Sequence, residues 1–532
     1  MAKKVLKSKN IFIEKNNIID GFVVIEGNRI YDVQPAEAID KYADCEIIDY
    51  GDQTIMPAFH DSHTHLILAA MVEKGGDLRY TKTEEEAAKQ FYDRNKDSKD
   101  KWLLGGGWDP YNWTEPHYPN RKTLDKYFPD RLVMLFNREI HGAWVNTKTL
   151  EYFGIDKNTP DPDFGEFYRD ENGEPTGYLH EFGAYVVIQK VIAEMTNEEL
   201  TQYVNAFTKA AHKGGVTSVS DVQVGEFMTY DVYDKMNEAG ELNIRIHYCP
   251  QIQLSTEKMV ELKEKHNGDR LRFSGAKTFM DGTAAGHTAI MVEPYLDEPD
   301  NVGKPSIDLD YVKEKIVELD ALGIRTRVHA CGDLSVRLAL DDFELARRTN
   351  GNMDTRHSIE HVEVATKEDL PRFGILNVIA AVQPNHMPRN DYYDHPFHTV
   401  LGAERMKYSW PFNTIRKFGG KLAYGTDNPC VGIHPAASVF RSVNRLSDEM
   451  EPEGGFNPVE KVDLQSTLEA YTANAAYINY RENDLGVLKP GYLADIAVLD
   501  QNIFKMADED LKNFQIAATY FDGELVYENT DL

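Results

Sequence analysis

The sequence predicts an α/β fold: a (β/α)8 TIM-like barrel, with a small β-sandwich domain drawn from both ends of the chain and a large insert after the first barrel strand. Three observations predict it. The middle of the chain alternates short apolar, strand-like runs with helical stretches, the pattern of βαβ units around a parallel sheet. Eight such runs occur, the number that closes a barrel. Histidines or an aspartate end four of them, where barrel active sites form.

The eight runs are MPAFHDSH near 56–63, VTSVSDV near 216–222, IRIHYCP near 244–250, RFSGAKTFM near 272–280, IRTRVHA near 324–330, RHSIEHV near 356–362, NVIAAVQP near 377–384 and KLAYGTD near 421–427. NEELTQYVNAFTKAAHKG is the clearest intervening helix. At the N-terminal end, KVLKSKNIFIE, GFVVIEGNRIYDVQP and EIIDYGDQTIMP read as strands between Asn, Asp and Gly turns, and LADIAVLD and IAATYFDGELVYEN match them at the C-terminal end. We therefore divide the chain into a composite β-domain (1–56 and 483–532) and a barrel domain (57–482). The stretch 75–200 is far longer than an ordinary βα connection. It reads as an inserted lobe, and it holds Trp102, Trp108, Trp113 and Trp144 of the chain's 5 tryptophans.

Composition narrows the function. The chain has 532 residues, 42% of them hydrophobic, which suits a large folded core. Its 58 Lys and Arg against 87 Asp and Glu give a net charge of −29, which repels phosphate backbones and anionic lipid heads. Nucleic acid and membranes are not expected partners. Cys45, Cys249, Cys331 and Cys430 lie far apart without a CxxC, so neither a disulfide scaffold nor a zinc ribbon is expected. MAKKVLKSKNIFIEKNN has no apolar segment after its lysines, and no apolar run reaches the roughly 18 residues of a membrane span. The expected location is the cytoplasm, and symmetry base rates favour a homodimer.

The chemistry concentrates at strand ends. In HDSHTH, His63 and His65 are two apart and point the same way from a strand. Two converging imidazoles are a metal cue. His329 closes TRVHA, His361 closes HSIEH and Asp427 closes LAYGTD. Singly, each is an ordinary polar strand end; together at one barrel mouth they predict a divalent-metal site. Lys277, in GAKTFMDG, shares strand parity with Phe273 and Phe279 and should face the interior. Either an acid such as Asp281 pairs with it, or its amine is modified or held at the metal.

These motifs, in order, resemble a known family. PAFHDSHTH, KTFMDGT, HACGD, HSIEHVE, VQPNH and GTDNP, with GGGWD and HGAWVN in the insert and LKPGYLADIAVLD near the end, are similar to the amidohydrolase-3 branch of the amidohydrolase superfamily, the YtcJ-like and N-substituted formamide deformylase-like proteins. The resemblance implies that His63 and His65 bind a buried metal. It implies that Lys277, carboxylated, bridges to a second metal held by His329 and His361. Asp427 would bind metal and accept a proton from the attacking water. Zinc suits this donor set, as do manganese, iron and cobalt. Two departures are His60, in PAFHD, and His287, where relatives often carry arginine.

The implied reaction is hydrolysis of a C–N bond in a small N-substituted amide by metal-activated water. His386, in VQPNH, is a candidate to stabilise the oxyanion. Trp108, Asp109, His141 and His287 are candidate substrate contacts, while Glu181 reads as a solvated helix acid. Esterase or phosphotriesterase chemistry remains an alternative, as does a non-catalytic metal-binding regulator. Deamination is disfavoured, because related deaminases carry Glu three residues after the strand-five histidine, where this chain has Gly332.

Overall fold

The protein is described by a computed structural model covering residues 3–162, 165–224, 231–387 and 396–531. At its centre lie two parallel sheets, each in simple chain order. One runs Phe59–Thr64, Val216–Val224, Arg245–Pro250, Leu271–Phe273. The other runs Ala276–Phe279, Thr326–Ala330, Ser358–His361, Ile379–Val382, Lys421–Tyr424. The two meet at both edges. Parallel bridges join Thr64 to Asn428 and Gln251 to Lys277. Main-chain bonds reinforce them: Asp427 N donates to His63 O at 2.8 Å, and Ile252 N to Lys277 O at 2.8 Å.

All eight expected runs lie in these sheets, with two corrections to their bounds. The run at 272–280 is broken in two. Gly275 sits at φ +110°, and a Cβ there would lie 2.5 Å from Arg325 Cγ, so the chain bends away where that arginine enters. The run at 56–63 is also divided. Thr54–Pro57 belongs to the terminal sheet, and the central strand begins at Phe59, after Ala58 N donates to Asp495 O at 3.0 Å.

Helices cover the sheets for the usual reason of apolar periodicity. In Asn197–Lys213, Leu200, Tyr203, Val204, Phe207 and Ala211 form one buried stripe. Thr196 starts this helix with a reciprocal capping box to Glu199.

Strands from both chain ends share one eight-stranded sheet. Ile496–Leu499 pairs antiparallel with Thr54–Pro57, which in turn lies beside Lys3–Glu14. This sheet is tied to the central strands by Arg245, which is fully buried. Its guanidinium donates to Asp495 at 2.8 and 2.7 Å and also to Asp522.

The insert is a lobe with its own five-stranded sheet, in the order Gly165–Arg169, Pro175–Glu181, Gly142–Val145, Leu132–Asn137, Trp102–Trp108. Trp108, Trp113, Trp144 and Tyr178 form its core with Phe91, Leu124 and Phe128. Among the described residues, no helix is long and apolar enough to cross a membrane.

Candidate metal centre

The C-terminal ends of the central strands bring His63, His361 and Asp427 together. Their donor atoms lie within 4.8 Å of one another, and all three residues are buried. Asp427 Oδ1 is 3.3 Å from His63 Nε2 and 3.1 Å from His65 Nε2. The His329 ring packs against that of His361 with centroids 4.4 Å apart. The five predicted strand-end ligands therefore form one cluster.

Several buried atoms in this cluster have no hydrogen bond: His63 Nε2, His329 Nδ1, Asp427 Oδ1 and Lys277 Nζ. Buried polar atoms are nearly always paired, so a concentration of unpaired ones marks where an ion belongs. The donor set of imidazoles and a carboxylate suits zinc and other first-row divalent ions. Burial lowers the pKa of His361 and His329 well below the ordinary value, leaving neutral imidazoles with lone pairs to offer. Burial would raise that of Asp427, but His63 and His65 outweigh it and hold the group ionised, well below the usual carboxylate range.

The orientation of each imidazole is fixed from behind. His63 Nδ1 contacts Glu360 Oε2 at 2.5 Å, and His361 Nδ1 contacts Gln383 Oε1 at 2.8 Å, so both rings turn Nε2 toward the centre. His329 does the reverse, with Nε2 3.2 Å from Gly282 O and Nδ1 unpaired. The main chain is strained here. His361 has φ 76°, Val362 φ 47° and Asp427 φ 56°, which cost on the order of 1–3 kcal/mol each and persist where surrounding contacts enforce them.

Lys277 is buried and its Nζ lies 4.4 Å from the centroid of the Phe279 ring. Burial lowers its pKa to about 8. The expected alternative partner, Asp281, is committed elsewhere. Its carboxylate accepts from Ile290 N at 3.0 Å, Cys331 N at 3.1 Å, Gly332 N at 2.9 Å and from Ser335 Oγ. Asp281, His329 and Cys331 form a second group with metal-ligand spacing, but those four donors already fill the carboxylate.

His386 reaches the cluster. Its Nε2 is 3.6 Å from Asp427 Oδ2, and its ring stacks on His361 at 5.7 Å. The remaining candidates divide. His141 ends the lobe turn 138–141, where Arg138 Nε donates to Cys430 O at 3.2 Å, and its Nδ1 is 2.8 Å from Glu181 Oε2. Glu181, read as a solvated acid, is instead an ion-pair partner. Asp109 is one step removed, 3.4 Å from Arg138. Trp108 is a correction: it is fully buried in the lobe core and donates Nε1–H to Leu135 O at 2.9 Å. Its size satisfies a packing need rather than lining the mouth. His287 lies in a loop beside Tyr295, where its Nε2 pairs with Asp297 at 2.9 Å. His60 lies outside the cluster, stacked on His247 at 4.9 Å and bonded to Asn479 at 2.9 Å.

Sequence reasoning missed Glu360, Arg327 and Gln383. Glu360 and Arg327 are both fully buried and bonded to each other at 3.0 and 2.9 Å. The available signal was one opposite charge in each of two buried strands, Arg327 in TRVHA and Glu360 in SIEH.

The chain is similar to known proteins over nearly its whole length. A profile described as the amidohydrolase family matches residues 46–527. The amidohydrolase YtcJ of Bacillus subtilis (strain 168) is 29% identical over 501 residues, covering 92% of each chain. The N-substituted formamide deformylase of Arthrobacter pascens is 24% identical over 548 residues, covering 97% of each. The crystal structure of an uncharacterized metal-dependent hydrolase from Pyrococcus horikoshii OT3 superposes with a TM-score of 0.78 and 26% identity, covering 95% of this chain and 99% of that one. The chain therefore belongs to the amidohydrolase family, in its amidohydrolase-3 branch.

Proposed function

We propose that this protein is a metal-dependent hydrolase that cleaves the C–N bond of small N-substituted amides. The observation behind this reading is the buried His63–His361–Asp427 trio with unpaired donor atoms facing one another. The family membership and the likeness to a deformylase of N-substituted formamides support the substrate class.

In this reading the central sheets form one closed (β/α)8 barrel (57–482), the terminal sheet is a composite domain (1–56 and 483–532), and 75–200 is a lobe over the mouth. His63, His65, Lys277, His329, His361 and Asp427 hold one or two divalent ions, with zinc the expected metal and Lys277 carboxylated. Burial draws the Lys277 pKa down to about 8, which raises the fraction of neutral amine that carboxylation requires. An ion held there would make a water acidic enough to supply hydroxide near neutral pH.

The chain's own residues do the rest. Asp427 takes the proton from the attacking water at its carboxylate and delivers it to the leaving nitrogen. His386, 3.6 Å away, steadies that carboxylate through the transfer. Glu360 and Gln383 keep the ligand rings aimed. Gly332 supports amide cleavage over deamination. A Cβ at that position would fall 2.1 Å from Ile290 O, so the glutamate that related deaminases use has no room.

The test is product release from a panel of N-formyl, N-acyl and cyclic amides, esters and phosphotriesters by the metal-loaded protein. Amine release from formamides with no ester or phosphotriester turnover is expected. Preference for esters or phosphotriesters would refute the bond assignment.

A further inference from the structure

The lobe presses one turn against the metal centre. Residues 138–141 join the strands Leu132–Asn137 and Gly142–Val145, with Ile140 at φ 58°. Arg138 Nε donates to Cys430 O at 3.2 Å, and Cys430 N donates to Asp427 O at 2.8 Å. The lobe turn is thus tied to the same tight turn that presents the Asp427 carboxylate.

His141 ends the lobe turn, and it is held twice by Glu181. Its Nδ1 is 2.8 Å from Glu181 Oε2, while Glu181 N donates to His141 O at 2.7 Å. The next residue, Gly142, leaves no room for a side chain, since a Cβ would lie 2.5 Å from the Tyr178 hydroxyl. Glu181 itself adopts φ 48° and ψ −123°, strained for a residue with a side chain. Such strain is retained where surrounding structure demands one placement. Both side chains are about one-third exposed, at 33% and 34%, so the pair borders open space rather than core.

Burial opposes charge on His141. The Glu181 carboxylate outweighs it, with help from Glu139 and Asp427, and the pKa rises to about 9. His329 on the central strands, which feels the His141 charge, and His180, 4.0 Å from Glu181, are the neighbouring bases. At neutral pH the ring is an imidazolium. With Nδ1 given to Glu181, Nε2–H is the remaining donor.

We propose that His141 donates its Nε2–H to the scissile carbonyl oxygen as that oxygen gains negative charge, and that Glu181 is the residue that positions the ring. This rests on the amide hydrolysis proposed above. As the water oxygen bonds to the carbonyl carbon, the C=O π pair moves onto oxygen, and the C–N bond breaks when that pair returns. A charged donor fixed beforehand stabilises this oxygen without reorganising. The oxyanion role expected of His386 thereby passes to the lobe, and His386 serves Asp427.

The test uses full-length, metal-loaded wild type, His141→Gln and Glu181→Gln. Turnover of formanilide is followed by aniline release, and binding of methylphosphonate, a tetrahedral anion, by calorimetry. The His141 ring is titrated by NMR in the metal-free protein. His141→Gln should lower kcat by about 10²- to 10³-fold, with KM changed less than about threefold. It should weaken methylphosphonate by about tenfold or more. In Glu181→Gln the His141 titration should fall from about 9 toward the ordinary value near 6.5, and the alkaline limb of kcat should move with it. If His141→Gln loses its metal or its fold, the Glu181→Gln titration and limb decide. Unchanged phosphonate affinity and kcat in His141→Gln, or an unmoved limb in Glu181→Gln, would overturn the proposal. Weakened phosphonate binding with no formanilide turnover even in wild type would uphold the donor and refute the hydrolysis.

Discussion

Replacing Glu360 by Gln tests the idea that the metal site is organised from behind. The carboxylate accepts from Arg327 at 3.0 and 2.9 Å, from Ser358 Oγ at 2.6 Å and from His63 Nδ1. Glutamine keeps the shape but turns one acceptor into a donor, which then faces donors on Arg327 or His63. Arg327 stays charged, fully buried and without a counter-charge, and breaking such a pair costs about 3–5 kcal/mol. Loss of the contact that orients a metal-binding histidine weakens the metal by about 10- to 100-fold. The pH dependence follows. Burial would raise the Glu360 pKa, but Arg327 and His63 outweigh it and hold it well below the ordinary value. Its stabilisation is therefore complete above the unfolded carboxylate value of about 4.3 and is lost as pH falls toward the folded one. Urea unfolding of the metal-free protein should show the wild-type advantage over Glu360→Gln holding from about pH 7 down to about pH 5 and shrinking as pH falls below about 4.3, and a chelator competition should give the metal affinity. The double variant Arg327→Met/Glu360→Leu should recover much of the stability, because no lone charge remains. A Glu360→Gln protein as stable as wild type at pH 7, with equal metal affinity, would refute the reasoning.

Four further outcomes are expected. Elemental analysis should find one to two divalent ions, chelation should abolish activity, and His63→Ala or His361→Ala should weaken retention; a metal-free, fully active protein would contradict the site. Lys277→Ala should lose an ion and most activity, with partial rescue by a short carboxylic acid, and a metal-loaded crystal should show carboxylate density on Nζ rather than a bare amine. Asp427→Asn should lower kcat by on the order of 10²- to 10⁴-fold with the fold intact by circular dichroism, since an amide cannot accept the proton. Trp108→Ala should destabilise the lobe by about 3–5 kcal/mol in unfolding experiments, with the ratio of bulky to small amide turnover unchanged, because that ring is fully buried.

The proposed metal ligands were legible because each is a polar residue at the end of an apolar run, and strand parity says where such a residue points. His63, His65, His329, His361 and Asp427 needed nothing beyond periodicity and order along the chain. The layer behind them was not legible. Glu360 and Arg327 meet across neighbouring strands, 33 residues apart in sequence, and no local pattern says which buried acid answers which buried base. Trp108, a candidate substrate contact, misled for a related reason. A small lobe must build a core from few residues, so Trp108 and Trp113 serve its packing, and composition alone does not separate a packed ring from a pocket wall. Backbone detail was also out of reach: the break at Gly275 and the positive φ of His361 and Asp427 depend on contacts from distant strands.

The buried Arg245 imposes an order on assembly. It belongs to the third central strand, yet Asp495 follows it by 250 residues and Asp522 by 277. During synthesis this guanidinium emerges long before either carboxylate that neutralises it. Until the last strands leave the ribosome, closing the strands around Arg245 would enclose a bare charge, which water opposes by several kcal/mol. A nascent chain still lacking both carboxylates is therefore expected to stay open at this end. Any truncation upstream of Asp495 should give a protein that accumulates in this waiting state, susceptible to proteases, with its metal ligands already made but never brought to one mouth.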